Sequence, residues 1–126
     1  MMICPCGSKK SYADCCEPFH LGRAFPQSAE QLMRSRYSAY VMKLEPYLIK
    51  TWAENTRPGQ IEFEDGVHWL KLRIVKTKHG HAEDQKGMVV FKTFYEVEGE
   101  KKIMTEKSLF VRDDVGHWVY VSGELS

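Results

Sequence analysis

The sequence predicts an α+β domain with an antiparallel sheet, preceded by a short cysteine-rich element. Three observations carry that prediction. All four cysteines fall within the first 16 residues. Apolar residues recur at helical spacing after Ser28. From Leu70 onward apolar and polar residues alternate, broken at intervals by glycine and aspartate, as in strands joined by hairpins. The chain has 126 residues, 43% of them hydrophobic and 12% aromatic, which suits one domain with a real core.

The cysteines are Cys4, Cys6, Cys15 and Cys16. Scattered core thiols would not crowd together in this way. Three readings compete: a closed tetrahedral zinc site, a pair of disulfides in an oxidising compartment, and a redox-active thiol pair. Spacing favours zinc. Pro5 stiffens the arc between Cys4 and Cys6, and Gly7-Ser8 suits a tight turn whose amides can donate to sulfur. Lys9 to Asp14 is long enough to turn the chain back. A Cys15–Cys16 or Cys4–Cys6 disulfide would close a strained ring. A closed four-thiolate site leaves no open coordination position, so its role would be structural. Lys9 and Lys10 would offset the excess negative charge. His20 is an alternative fourth ligand, less favoured while four cysteines are available.

These residues carry a resemblance. Cys4-Pro5-Cys6-Gly7-Ser8, then Tyr12, then Cys15-Cys16, is similar to the SEC-C motif, a zinc-binding element also present in the translocation ATPase SecA, where it is linked with docking to partner proteins. In that motif a second glycine stands where this chain has Lys9, a position that would be strained if its φ is positive. Glu17-Pro18-Phe19-His20, Leu32 to Tyr40, Thr51-Trp52, Trp69-Leu70, Glu106 to Phe110 and Trp118-Val119-Tyr120 resemble the YchJ-like family of uncharacterised bacterial proteins. The resemblance implies a curved antiparallel sheet wrapped by helices, of the nuclear-transport-factor-2-like or cystatin-like kind. It also implies one structural zinc ion on Cys4, Cys6, Cys15 and Cys16. It implies no reaction.

The elements follow in order. Residues 1–22 form the zinc element, and Pro18 to Pro26 read as a link. The domain spans 27–126. Ser28, with Gln31 three residues on, is a capping-box pattern that opens a helix at Ala29. Leu32, Met33, Tyr37, Tyr40, Val41 and Leu44 make its apolar stripe. Pro46 suits the first turn of a second helix reaching Trp52. Leu70, Leu72 and Ile74 share one side of a first strand. Val89, Phe91, Thr93, Tyr95 and Val97 share one side of a second. Ile103 to Arg112 and His117 to Ser122 form the third and fourth, with turns at Gly99-Glu100 and Asp113 to Gly116.

Candidate functional residues beyond the cysteines come from parity. Arg36 lies inside the helical stripe, where a cation must find an anion or carbonyls. Glu106 shares a strand face with Met104, Ser108 and Phe110, and Trp118 shares one with Tyr120. Arg36, Tyr40, Glu106, Phe110 and Trp118 are therefore the candidate lining of a cavity. Arg36 and Glu106 are expected to meet there or to face it separately. Arg34 lies off the stripe and is expected at the surface. His79 and His81 flank Gly80 at a hairpin tip, a weaker metal candidate.

Lys plus Arg number 18 and Asp plus Glu 17, for a net charge of +1. That balance does not mark a nucleic-acid binder. Lys9, Lys10, Arg23 and Arg34 give such binding only thin support. No run is long and apolar enough for a membrane helix, and the start lacks a signal-peptide core. A cytoplasmic protein is expected. No nucleophile motif or phosphate-binding glycine loop occurs. The reading favoured is a non-catalytic zinc-binding module that engages protein partners. The alternative is an isomerase- or hydrolase-type enzyme, with Glu106 as base and Arg36 or Tyr40 stabilising an anion.

Overall fold

The structure is a computed structural model, and residues 2–125 are described. Met1 and Ser126, the outer ends of the two expected units, lie outside the described residues. A single 3₁₀ turn at Tyr12–Asp14 precedes α1 (Glu17–His20), α2 (Ala29–Met42) and α3 (Glu45–Lys50). Four strands follow: β1 (Val67–His79), β2 (Lys86–Val97), β3 (Glu100–Arg112) and β4 (Trp118–Leu125). They form one antiparallel sheet in the order β1-β2-β3-β4.

Helix α2 starts where Ser28 Oγ accepts from the Gln31 amide at 3.1 Å. The return half of the capping box is displaced by one residue. Gln31 Oε1 accepts from the Gln27 amide at 2.7 Å, and the Ala29 amide donates to Gly80 O at 2.9 Å. The β1–β2 hairpin tip thus sits on the helix N-terminus. A Cβ added at Gly80 would lie 2.7 Å from Ala29 Cβ, and one at Gly87 would lie 2.5 Å from Gly80 Cα. Only hydrogen fits at both positions. Lys43 ends α2 in the left-handed region at φ 58°, and Pro46 enters α3 in its first turn.

The core joins α2 to the inner face of the sheet. Leu32, Met33, Tyr37, Leu72, Val89, Phe91, Phe110 and Trp118 are buried together. Register shifts after Trp69 and after Ile74 kink β1, as bulges do. The first of them moves Leu70 off the face that holds Leu72, so Leu70 is half exposed at 49%. The free edge of β4 is partly closed by the chain after α3. There the Tyr120 amide donates to Thr51 O at 2.8 Å, and the Ala53 amide to Tyr120 O at 2.7 Å. No helix among the described residues is long and apolar enough to cross a membrane.

Candidate metal centre and adjoining cavity

The N-terminal element folds back on itself through backbone bonds. The Cys4 amide donates to Lys10 O at 2.9 Å, and the Tyr12 amide to Met2 O at 2.8 Å. Gly7 turns with φ 86° and Lys9 with φ 71°. The four sulfurs converge: all lie within 4.8 Å of one another, and Cys4, Cys6 and Cys16 are buried. Cys6 Sγ is 3.6 Å from Cys15 Sγ, and Cys15 Sγ is 4.0 Å from Cys16 Sγ. All four are free thiols. Four sulfurs around one ion at bonds of about 2.3 Å would sit about 3.8 Å apart. The observed separations fit that tetrahedron and are far too long for disulfides.

The groups around the sulfurs suit thiolates. Ser8 Oγ lies 3.1 Å from Cys15 Sγ. Ser38 Oγ donates to Cys16 Sγ at 3.4 Å and lies 3.5 Å from Cys4 Sγ. The neighbouring Cys16 thiol and the Ser8 hydroxyl and amide favour the Cys6 thiolate, whose pKa falls to about 4 against the opposing effect of burial. The Cys16 pKa is pushed up, first by its bond to Cys6 and then by burial, and burial raises that of Cys15. Such a cluster gives up its remaining protons to a metal ion.

His20 is not a ligand. Its Nε2 lies 2.8 Å from Ser35 O and its Nδ1 2.6 Å from Tyr12 Oη. A carbonyl can only accept, so Nε2 carries the proton and the Tyr12 hydroxyl donates to Nδ1. Burial lowers the His20 pKa, in keeping with that neutral tautomer. Arg34 departs from the surface position expected of it. Its Nη1 donates to Cys6 O at 2.7 Å, and its Nε binds Glu30 at 3.0 Å. A guanidinium from α2 is thus bonded to the backbone of the cysteine element, while Lys9 and Lys10 are exposed. The only sign of this in the sequence is the i, i+4 spacing of Glu30 and Arg34.

Behind α2 lies a cavity of about 240 Å³. Arg36, Tyr40 and Glu106 line it, together with Tyr37, Trp69, Phe91, Thr93 and Tyr120. Arg36 is 3% exposed. Its Nη1 donates to Leu48 O at 2.8 Å and to Thr51 Oγ1 at 2.7 Å. Its guanidinium carbon lies 5.1 Å from the Trp52 ring centre and 4.7 Å from that of Tyr120. Among the described residues no carboxylate forms an ion pair with it. Arg36 and Glu106 therefore face one space without meeting. Glu106 instead accepts from Ser108 Oγ at 2.7 Å.

Phe110 and Trp118 do not line this cavity, contrary to the sequence expectation. They are 0% and 2% exposed and belong to the core. Both stand on the inner face that parity assigns them, but at the end of the sheet where the core lies, with Phe110 opposite Gly87 on one side and Tyr120 on the other. Tyr120 takes the cavity-facing place, while the Trp118 indole turns its Nε1 toward Gln27 O at 3.3 Å. His79 and His81 are exposed, and the cysteines form the one potential metal-ligand cluster among the described residues.

A family model described as the YchJ middle NTF2-like domain matches residues 28–123, and a SEC-C motif model matches residues 3–18. The chain belongs to the YchJ family. A UPF0225 protein of Streptomyces coelicolor is 42% identical over 122 residues, covering 97% of this chain and 94% of its own. A UPF0225 protein of Vibrio vulnificus is 42% identical over 125 residues, covering 95% and 73%. The solution structure of a SEC-C motif containing protein from Rhodopseudomonas palustris has a TM-score of 0.84 at 31% identity, covering 99% of both chains. A crystal structure of a SEC-C motif containing protein from Psychrobacter arcticus shares the fold, with a TM-score of 0.79 at 23% identity over 100% of this chain and 84% of the other.

Proposed function

We propose that this protein is a zinc-stabilised interaction module that docks an acidic, amphipathic segment of a partner protein on the outer face of its sheet. Four thiolates in a tetrahedron suit zinc or a single iron. Zinc needs no redox partner and fits a closed structural site. Ligand thiols must stay reduced, which suits the cytoplasm.

The observation that carries the docking reading is the charge of the sheet face turned away from α2. By register, Lys71, Arg73, Lys76 and Lys78 of β1 stand on that face. Lys92 of β2 and Lys101 and Lys107 of β3 join them. The carboxylates there are Glu96 and Glu124, the latter 3.7 Å from Lys107. Arg73 stands directly opposite Lys92. Like charges facing each other across strands are destabilising, so folding alone does not favour this arrangement. Between the cations lie Val90, Ile103 and Leu109, the last two 61% and 45% exposed. Cations interleaved with aliphatics suit glutamates alternating with leucines. A second copy would set like charge against like. The Phe94 ring on this face is covered by Lys71 Nζ at 4.6 Å, which disfavours it as a stacking platform for bases.

The test is fluorescence anisotropy with a labelled helix-forming peptide rich in Glu and Leu. Saturable binding that weakens about tenfold in the R73E/K92E variant, and falls with salt, supports the reading. A single-stranded RNA binding more tightly than the peptide, or unchanged binding by the variant, overturns it.

A second reading rests on the cavity. Glu106, Arg36 and Tyr40 line one space, which would suit a carboxylate base and a cation that stabilises an anion. Isomerase or hydrolase turnover lost in E106Q would support it.

A further inference from the structure

We infer that the cavity between α2 and the sheet is a binding site for a small planar amphoteric molecule, a single ring bearing an acidic oxygen and an N–H or O–H donor. This is a statement about binding. It needs no turnover and stands apart from both readings above.

Charge is the first argument. Arg36 is buried to 3% exposure with no carboxylate paired to it. The polar groups beside it are carbonyls and hydroxyls. Burial raises the pKa of Tyr40, and it raises that of Tyr120 to about 12. These phenols are thus neutral donors and acceptors, not counter-ions. A buried cation without an anion is costly, and an acidic oxygen entering the cavity would relieve that cost.

Glu106 sets the second requirement. Its carboxylate faces the same space and receives one hydrogen bond, from Ser108. A simple anion bound at Arg36 would be repelled by it, and a simple cation bound at Glu106 would be repelled by Arg36. A molecule with both an acidic oxygen and a donor satisfies each in turn.

Thr93 supplies an independent sign. It is 3% exposed, lines the cavity, and its Oγ1 has no protein hydrogen-bond partner. Buried hydroxyls in folded proteins are normally satisfied. Shape decides the rest. Tyr37, Tyr40, Trp69, Phe91 and Tyr120 give aromatic walls, which favour a flat partner. The volume of about 240 Å³, against roughly 30 Å³ per water, admits one substituted ring. Met33 and Met104 line it with flexible side chains.

The experiment uses the full zinc-loaded chain with ¹³C-methyl methionine, because Met33 and Met104 report from the cavity wall. Three compounds are titrated: 4-aminobenzoate, benzoate and aniline. Saturable shifts of the Met33 and Met104 methyls are expected, with 4-aminobenzoate binding about tenfold more tightly than either of the others. Glu106→Gln should remove the advantage over benzoate, and Arg36→Lys should weaken both acids. Because Arg36 also bonds Leu48 and Thr51, unfolding of its variant would leave Glu106→Gln and the three-compound ranking as the deciding readouts. Equal affinity for all three compounds, shifts confined to other methionines, or no saturation overturns the inference. Binding without any turnover would leave it intact and remove only the enzymatic reading.

Discussion

His20 and Ser35 are joined across 15 residues by a hydrogen bond of 2.8 Å from Nε2–H to the backbone carbonyl. The bond ties the end of the cysteine-rich element to the middle of α2. Tyr12 completes the link through Nδ1, and the Tyr47 ring packs edge-on at 4.7 Å. The groups facing His20 are thus two phenols, a carbonyl and, at longer range, Glu17 and Cys6. In the folded state its pKa is depressed below 6.5, first by burial. The unfolded chain therefore binds the proton more readily. This contribution to stability is complete above pH 6.5 and is lost as pH falls below it. An NMR titration of the zinc-loaded protein should show His20 neutral, as the Nε2–H tautomer, at pH 6.5. A ring already charged there would sink the assignment.

Metal analysis should return about one ion per chain. Cys15→Ser or Cys16→Ser should release it and lower the melting temperature by about 10 °C or more, since structural zinc contributes up to about 10–16 kcal/mol to the folding of small zinc elements. Iron in place of zinc would correct the identity of the ion and leave the site standing.

Lys9 holds φ 71°, a region that suits glycine. Lys9→Gly should therefore stabilise the protein by about 0.5–1 kcal/mol with the metal content unchanged. Urea unfolding of the two forms measures the difference. A loss of stability would mean that the lysine side chain makes a contribution larger than the strain.

Gly80→Ala and Gly87→Ala should each cost about 2–3 kcal/mol, because the new methyl would meet Ala29 or the facing strand at 2.5–2.9 Å. Gly99 also has positive φ, at 82°, with nothing within 4 Å of an added Cβ. Gly99→Ala should thus cost only backbone strain, about 1 kcal/mol. Equal effects at the three sites, measured by thermal unfolding, would contradict the packing argument.

Much of this was legible in the sequence. The cysteine spacing announced four converging sulfurs, and alternation fixed the inner face of β2 from Val89 to Val97. The missing glycine at Lys9 marked the strained residue. The bulges in β1 and between Leu109 and Phe110 were not legible. A parity count assumes unbroken pleating, so it puts Leu70 on the wrong side. It names the inner face of Phe110 and Trp118 correctly, but parity carries no information on where along a strand the cavity gives way to the core. The polar residues of α2 were also hidden. Ser35 and Ser38 are fully buried, but a search for one apolar stripe passes over small hydroxyls. In fact the helix is covered on three sides. Arg34, Ser38 and Met42 face the sulfurs, Ser35 and Ala39 face α3, and Met33, Arg36, Tyr37 and Tyr40 face the cavity.

That sharing of α2 has a mechanical meaning. The residue that steadies two of the sulfurs, Ser38, sits between Arg36 and Tyr40 in the chain, and those two look the opposite way. A rigid rod cannot turn one flank without turning the other. A chelator that strips the ion should disturb the methionine methyls of the cavity at concentrations that leave the far ends of the strands undisturbed.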